Sequence, residues 1–237
     1  MTERLDKILS NQLNISRSDS RRLIKIGQVS VNGEVVRSFG FQIDPQKDKV
    51  LAEGKSVEYR KHLYIMLNKP KGVLSATEDK KQTTVIDLLP DGFKRKNMSP
   101  VGRLDKDTTG LLIITDDGEF SHNVISPKKD ITKLYIAEVD NKIPLDAKKK
   151  FQDGIVLADG TRCLSARLEI LSNDNPYTCK IEIKEGKYHQ IKRMLGVVGL
   201  GVKELKRVSI GGLSLDDSLK DGECREMTEK EKNLVFV

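Results

Sequence analysis

The segment of residues 102–118 limits most strictly what this chain can fold into. It reads GRLDKDTTGLLIITDDG, so a loop of charged and hydroxyl side chains leads directly into four consecutive aliphatic residues, 111–114. A short apolar run between turn residues is typical of a buried strand. The run is also the longest of its kind in the chain, and a membrane-spanning helix needs roughly 20 apolar residues. An integral membrane protein is therefore excluded, and the polar loop is predicted to lie at the mouth of a sheet.

The pattern of apolar residues changes near residue 60. Before this point two helices are predicted, the second with Ser16 or Ser18 as its N-cap, and they are followed by two short strands around an Asn32-Gly33 turn. After it most segments alternate as strands. We therefore expect an α+β fold. It consists of a small α/β-hairpin module of residues 1–60 and a domain of residues 61–237 on a largely antiparallel mixed sheet with a few helices.

Periodicity within the second domain predicts six strands and four helices. The last helix is predicted from Thr228, because Thr228-Glu229-Lys230-Glu231 has the form of a capping box. The predicted strands are residues 63–67, 110–115, 133–139, 167–170, 177–183 and 202–210, and the other helices are residues 117–125, 145–152 and 189–198.

Composition points to an anionic partner in a reducing compartment. The chain has 42 Lys and Arg against 35 Asp and Glu, which gives a net charge of +7. Its three cysteines are too few and too scattered for a disulfide framework or a zinc site. The first residues contain no apolar signal segment, so we expect a cytoplasmic protein without membrane association.

The second predicted helix carries a row of cations. Arg17, Arg21 and Lys25 are spaced four residues apart and so share one face. Such a face is either a solvated surface or a set of cations that follows a phosphate backbone. The segments SRSDSRRLI, GQVSVNG and VVR within residues 3–55 resemble the S4-type RNA-binding module. That resemblance implies that the three cations bind RNA.

The polar loop in front of the apolar strand carries the candidate chemistry. Arg103 and Asp105 are two residues apart and project to the same side in an extended chain. By its position alone, Asp105 is a nucleophile, a general base, a metal ligand or a turn former. Asp116 and Asp117 have no His or Cys nearby, and Asp117 fits better as a helix N-cap. We therefore predict that no metal takes part.

Three segments together identify a family. GRLDKDTTGL, the KLY of residues 133–135 and the EGKYHQIKRM of residues 185–194 resemble the signature segments of RsuA-type RNA pseudouridine synthases. NKPKG at residues 68–72 and IGGL at residues 210–213 match the same pattern. The segment of residues 115–122 most resembles the branch that acts on small-subunit rRNA. The resemblance spans nearly the whole chain in the expected order.

This resemblance implies a reaction and its residues. The uridine N1–C1′ bond is broken and the base is rejoined through C5, without a redox step and therefore without a cofactor. Asp105 corresponds to the essential aspartate, which acts as nucleophile or as base at C2′. Tyr135 corresponds to the tyrosine that stacks on the target base. Lys192 corresponds to the cation that keeps the aspartate ionised, with Arg193 as the alternative.

The uridine must be flipped out of its helix before it can react. Arg103 corresponds to the arginine that fills the vacated stack. We expect phosphate contacts from a further set of cations, Lys69, Lys71, Lys187 and Arg193.

The predicted substrate is small-subunit 16S rRNA at a site of the uridine-516 type. Two alternatives are a synthase for large-subunit 23S rRNA and a non-catalytic rRNA-binding or ribosome-assembly factor. We expect the protein to act as a monomer with rRNA as its partner.

Overall fold

The computed structural model describes residues 2–237, which form two compact units. The first consists of residues 2–63 and 91–97, and the second of residues 64–90 and 98–237. Residues 91–97 differ from the sequence pattern, which assigns them to the second domain. The Arg95 guanidinium donates to the Arg60 carbonyl and to the Gln12 side chain, at 2.9 and 2.7 Å. The predicted domain limits, residues 1–60 and 61–237, stay a prediction.

The first unit is built from two helices and short strands. Ser16, not Ser18, caps the second helix, because its hydroxyl accepts from the Asp19 amide at 3.0 Å. The Asn32-Gly33 turn joins two antiparallel strands as predicted. The elements are β1 (Glu3–Arg4), α1 (Leu5–Gln12), α2 (Arg17–Lys25), β2 (Val29–Val31), β3 (Glu34–Val35), β4 (Gln42–Ile43), β5 (Val50–Ala52) and β6 (Lys55–Ser56).

Two small sheets complete this unit. One has the order β3-β2-β5-β6 and the other pairs β1 with β4. The apolar faces of α1 and α2 pack with the inward side chains of β2 and β5 into one core, which includes Leu5, Leu9 and Ile24. The apolar residues that recur at helical spacing in α1 and α2 are the ones that are buried, and for this reason local periodicity predicts both helices.

The second unit contains a larger sheet and four α-helices. Its elements are β7 (Tyr64–Lys69), β8 (Ser99–Pro100), β9 (Thr109–Thr115), α3 (Gly118–Ile125), β10 (Lys133–Val139), α4 (Ala147–Asp153), β11 (Arg167–Ser172), β12 (Tyr177–Ile183), α5 (Gln190–Val197), β13 (Val202–Ile210), β14 (Leu213–Ser214), β15 (Cys224–Glu226) and α6 (Glu229–Leu234).

This sheet has nine strands and is largely antiparallel, as predicted. The main order is β11-β12-β10-β13-β9-β7-β15, with β14 beside β13 and β8 beside β9. Among the named strands of residues 2–237, only β9 and β13 pair in parallel. Residues 111–114 are fully buried in β9 near the centre of the sheet. The predicted α+β class is confirmed.

The caps predicted for two helices of this unit are also confirmed. The Asp117 carboxylate accepts from the Phe120 amide at 3.0 Å and caps α3. Thr228 and Glu231 form the capping box of α6. Within residues 2–237, no helix is long and apolar enough to cross a membrane.

The parallel pairing of β9 with β13 depends on one glycine. Gly110 has φ +99° and lies directly against β13. A Cβ at this position would lie 2.2 Å from the Arg207 carbonyl oxygen. Only glycine allows both this backbone conformation and this approach. The pairing sets the loop before β9 beside the middle of the sheet.

We expect Gly110→Ala to lower the free energy of unfolding by about 2 kcal/mol or more, because it combines a left-handed backbone with a backbone clash. Gly118→Ala is the control, because an added Cβ there meets no atom within 4 Å and φ is not positive. Urea unfolding of both variants measures the difference. Equal stability of the two variants would contradict the assignment.

Candidate active site

A small pocket lies beside the polar loop that precedes β9. Its volume is about 70 Å³, and it is open to solvent on one side. Arg103 and Asp105 border it from the loop, Tyr135 from β10 and His189 from the start of α5. Residues that are up to 86 positions apart in the sequence therefore meet around one cavity, as the three signature segments predict.

The carboxylate of Asp105 faces two nitrogen-bearing side chains. His189 Nε2 lies 3.5 Å from Oδ1, and Lys192 Nζ lies 3.8 Å from Oδ2. The Asp105 side chain retains 27% of its exposure, so it is reachable from the pocket. Lys192 therefore places a positive charge beside this partly enclosed carboxylate.

Lys192 also binds a second carboxylate in the same loop. Its Nζ donates to Asp107 Oδ1 at 2.5 Å, closer than its approach to Asp105. The hydrogen bond from Lys192 lowers the pKa of Asp107 in spite of partial burial. The ammonium therefore lies between two carboxylates. Sequence reasoning did not single out Asp107, although its spacing from Asp105 repeats that of Arg103.

Arg193 points away from Asp105. Its guanidinium binds Asp159 Oδ2 at 2.5 Å and the Tyr188 carbonyl at 3.4 Å. Neighbouring residues on a helix diverge by about 100°, so Lys192 and Arg193 cannot face the same group. Of the two cations that the sequence leaves open, Lys192 is the one near Asp105.

The prediction from sequence that Lys69 contacts RNA is wrong. The whole residue is 0% exposed, so its ammonium cannot reach a phosphate. Instead the ammonium donates to four backbone carbonyls at 3.0–3.2 Å, those of Pro70, Asp105, Lys106 and Thr108.

The end of β7 brings Lys69 to this position. In the antiparallel register Lys69 pairs with Gly110, so the side chain lies under the loop that leads into β9. Burial lowers the pKa of Lys69 to about 8, against the attraction of Asp107 and Asp105. The group remains charged at neutral pH and ties the loop to the sheet. The sequence of the NKPKG segment does not show which of its two lysines is buried and which is exposed.

Two other cations that the sequence assigns to RNA already bind carboxylates. Lys71 pairs with Glu204. Lys187 Nζ donates to Glu185 Oε2 at 2.6 Å and to the Arg162 carbonyl at 2.8 Å. The side chains of Lys71 and Lys187 each keep about a third or more of their exposure. Their contacts with phosphate stay a prediction.

Tyr135 and the turn before α5 are held by the sheet and by internal bonds. Tyr135 is buried and lies between β12 and β13, paired with Ile181 and Arg207. Gln190 is also buried, and its side chain bonds Glu185 Oε1 at 2.8 Å and the Lys187 amide at 2.9 Å. Gln190 fixes the shape of the turn, which sequence reasoning missed.

In the first unit, a buried acid organises the predicted RNA-binding row. Asp6 is 0% exposed, and its carboxylate accepts from Arg4, Arg17 and Arg21 at 2.9–3.1 Å. Burial alone would raise the pKa of Asp6, but these three guanidinium groups hold it well below its usual range. Lys25, at the end of α2, is exposed and is not among the residues that donate to Asp6. In the sequence, the position of Asp6 among the buried apolar residues of α1 is the feature that could have identified it.

The described residues offer no obvious metal centre. Within residues 2–237, no group of three or more His, Cys, Asp or Glu side chains is arranged to hold a metal ion. A wider groove of about 520 Å³ lies beside α4, β11 and β12, lined by Lys148, Arg167 and Glu169 among others. It has carboxylates but neither the imidazole nor the tyrosine that accompany Asp105, so we take the smaller pocket as the site.

We expect Lys69→Met to lower the free energy of unfolding by roughly 3 kcal/mol, because it leaves several buried carbonyls without a charged donor. The matched variant Lys71→Met removes a surface ion pair and should cost under about 1 kcal/mol. Urea unfolding compares the two. Equal costs would mean that the buried ammonium does not support the loop.

Comparison with known proteins gives two family matches. The family of RNA pseudouridylate synthases matches residues 63–196, and the S4 domain matches residues 3–50.

Relatives match along nearly the whole chain. An uncharacterized RNA pseudouridine synthase of Bacillus subtilis, YtzG, is 42% identical and covers 98% of both chains. The ribosomal small subunit pseudouridine synthase A of Escherichia coli K12 is 38% identical over 96% of this chain and 97% of its own. A crystal structure of a pseudouridylate synthase superimposes with a TM-score of 0.68 at 33% identity, over 98% of this chain and 99% of that chain. The chain therefore carries an S4 domain in front of its synthase domain. These matches show that it belongs to the RNA pseudouridine synthase family and is an isomerase.

Proposed function

We propose that this protein converts a uridine of small-subunit rRNA into pseudouridine, with Asp105 as the catalytic carboxylate. The observation that carries the proposal is the pocket lined by Asp105, Tyr135 and His189, with Lys192 beside the Asp105 carboxylate. Support for the substrate comes from the Escherichia coli relative, which is named for the small ribosomal subunit. A site of the uridine-516 type is the finer part of the proposal.

Asp105 starts the reaction in either of two ways. As a nucleophile its carboxylate bonds to C1′ as the N1–C1′ bond breaks, and it leaves when C5 bonds to C1′. As a base it removes the C2′ proton as the N1–C1′ bond breaks, and it returns that proton to C2′ when C5 bonds to C1′. In both, the N1–C1′ bond breaks, the base turns, C5 bonds to C1′, and the C5 proton is lost while N1 gains one. Both need an ionised carboxylate, and the Lys192 ammonium at 3.8 Å places a positive charge beside it.

Tyr135 and Arg103 act on the flipped nucleotide. The Tyr135 ring borders the pocket as part of its wall, where it can stack on the uracil and lie near C5. Arg103 is exposed at the rim of the same pocket, where its planar guanidinium can occupy the space that the base leaves.

The S4 domain supplies RNA affinity. Asp6 holds Arg4, Arg17 and Arg21 in one cluster whose side chains remain 42–48% exposed. These cations and Lys25 bind phosphates, and Lys71, Lys187 and Arg193 add contacts around the pocket. Because such contacts release counterions, binding weakens steeply with salt.

Mapping pseudouridine in rRNA tests the proposal. Carbodiimide treatment and primer extension on rRNA from a deletion strain should show one missing stop in small-subunit rRNA. The wild-type gene and the control Asp153→Asn, exposed at the end of α4, should restore it, and Asp105→Asn should not. A missing stop in large-subunit rRNA would favour the alternative substrate. An unchanged map, or restoration by Asp105→Asn, would overturn the proposal.

We expect Lys192→Met to lower the single-turnover rate by about 10²-fold or more at saturating RNA, because it removes the ammonium that faces the Asp105 carboxylate. Lys192→Arg should keep much of the rate. Arg193→Met should weaken RNA binding and leave the saturated rate near wild type, because Arg193 binds Asp159. Loss of the chemistry in Arg193→Met, with only affinity lost in Lys192→Met, would exchange the two roles.

A further inference from the structure

One aromatic side chain at the pocket is left open to solvent. Tyr188 is 73% exposed, more than any other Tyr or Phe in residues 2–237. Single exposed apolar side chains are common and need no explanation by themselves. Tyr188 differs because one face of its ring is already stacked. The ring lies on the His189 imidazole at 3.9 Å between centroids and 18° between planes.

The backbone conformation of His189 brings the two rings together. In an extended chain, adjacent side chains point to opposite sides. His189 instead has φ +47°, in the left-handed region, and this turns its ring toward that of Tyr188. This conformation is uncommon for a non-glycine residue, although histidine adopts it more often than most.

The stack is continuous with the catalytic carboxylate. The His189 ring contacts both groups, with its Nε2 3.5 Å from Asp105 Oδ1 and one of its faces on the Tyr188 ring. Tyr188 does not itself border the pocket, whereas His189 does. Tyr188 is therefore one ring further from the pocket than His189.

Two cations lie near the backbone of Tyr188, and each of them also pairs with a carboxylate. Arg193 donates to the Tyr188 carbonyl at 3.4 Å, and Lys187 precedes Tyr188 in the chain. An aromatic face next to cations is the usual composition of a site for an unpaired nucleotide, where the ring stacks on the base and the cations bind its phosphate. An apolar protein segment would not be favoured beside two cations.

We propose that Tyr188 and His189 form a stacking platform for an unpaired base next to the target uridine. This inference rests on the proposed function, because flipping the uridine breaks the stacking of its neighbours. The platform returns a stacking partner to one neighbour and so offsets part of the cost of flipping. It contributes to RNA binding and to the choice of uridine, whereas Tyr135 acts on the uracil itself.

The test uses the full-length protein and a hairpin transcript of small-subunit rRNA that contains the mapped uridine. Two further hairpins carry an abasic residue in place of its 5′ or its 3′ neighbour. Tyr188→Leu removes the aromatic face and keeps an apolar side chain, and Tyr188→Phe keeps the ring and removes the hydroxyl. Dissociation constants and single-turnover rates at saturating RNA are measured for each pair.

We expect Tyr188→Leu to bind the intact hairpin roughly 5- to 150-fold more weakly than wild type, the range for loss of one base–aromatic stack. Its saturated rate should stay near wild type, and Tyr188→Phe should match wild type in both. On one of the two abasic hairpins, wild type should bind as weakly as Tyr188→Leu. A fluorescent 2-aminopurine at that neighbour should be quenched by wild type and Tyr188→Phe only.

Three results would overturn the platform. They are an unchanged affinity of Tyr188→Leu, a loss of equal size on all three hairpins, and a loss confined to the saturated rate, which would assign Tyr188 to the chemistry. Failure of wild type to convert the uridine in the intact hairpin would overturn the proposed function instead. Conversion by wild type together with any of the three results leaves that function intact.

Discussion

The buried ammonium of Lys69 is the interaction on which the site depends. A polar loop in front of a buried strand has few apolar contacts of its own, so it needs another source of order. Lys69 provides one by donating to carbonyls on both sides of the loop, including those of Asp105 and Thr108. Hydrogen bonds from a charged donor are stronger than neutral ones. The candidate catalytic carboxylate of Asp105 is therefore held through its own backbone, which leaves its side chain free.

Around this fixed loop, the sheet brings in the remaining groups. The close approach at Gly110 sets β9 beside β13, and β10 follows on the other side of β13 with Tyr135. The left-handed backbone at His189 then starts α5 so that His189 and Lys192 both face Asp105. The S4 domain uses the same principle with opposite charge, since the buried carboxylate of Asp6 orders three arginines. In both places one buried ion positions groups that remain accessible to RNA.

Local patterns predicted the elements well because each depends on neighbouring residues. Alternation in β10 and β12 follows burial in the sheet, and the caps at Asp117 and Thr228 follow from bonds within one turn. The interpretation of Lys69 was wrong because a lysine in a polar segment is exposed in most proteins. Residues 91–97 cluster with the first unit and not with the second, because the bonds of Arg95 reach residues more than 30 positions away.

By itself, the sequence determined the fold class, the family, and Asp105 as the candidate carboxylate, because short-range periodicity and ordered motifs record them directly. Only the tertiary structure decided which lysine of NKPKG is buried, which cation of residues 192 and 193 faces Asp105, and that Asp107 shares Lys192. It also brought the Tyr188–His189 stack beside the carboxylate. The reason is physical: burial and ion pairing depend on distances between residues far apart in the chain, and spacing along the sequence does not contain those distances.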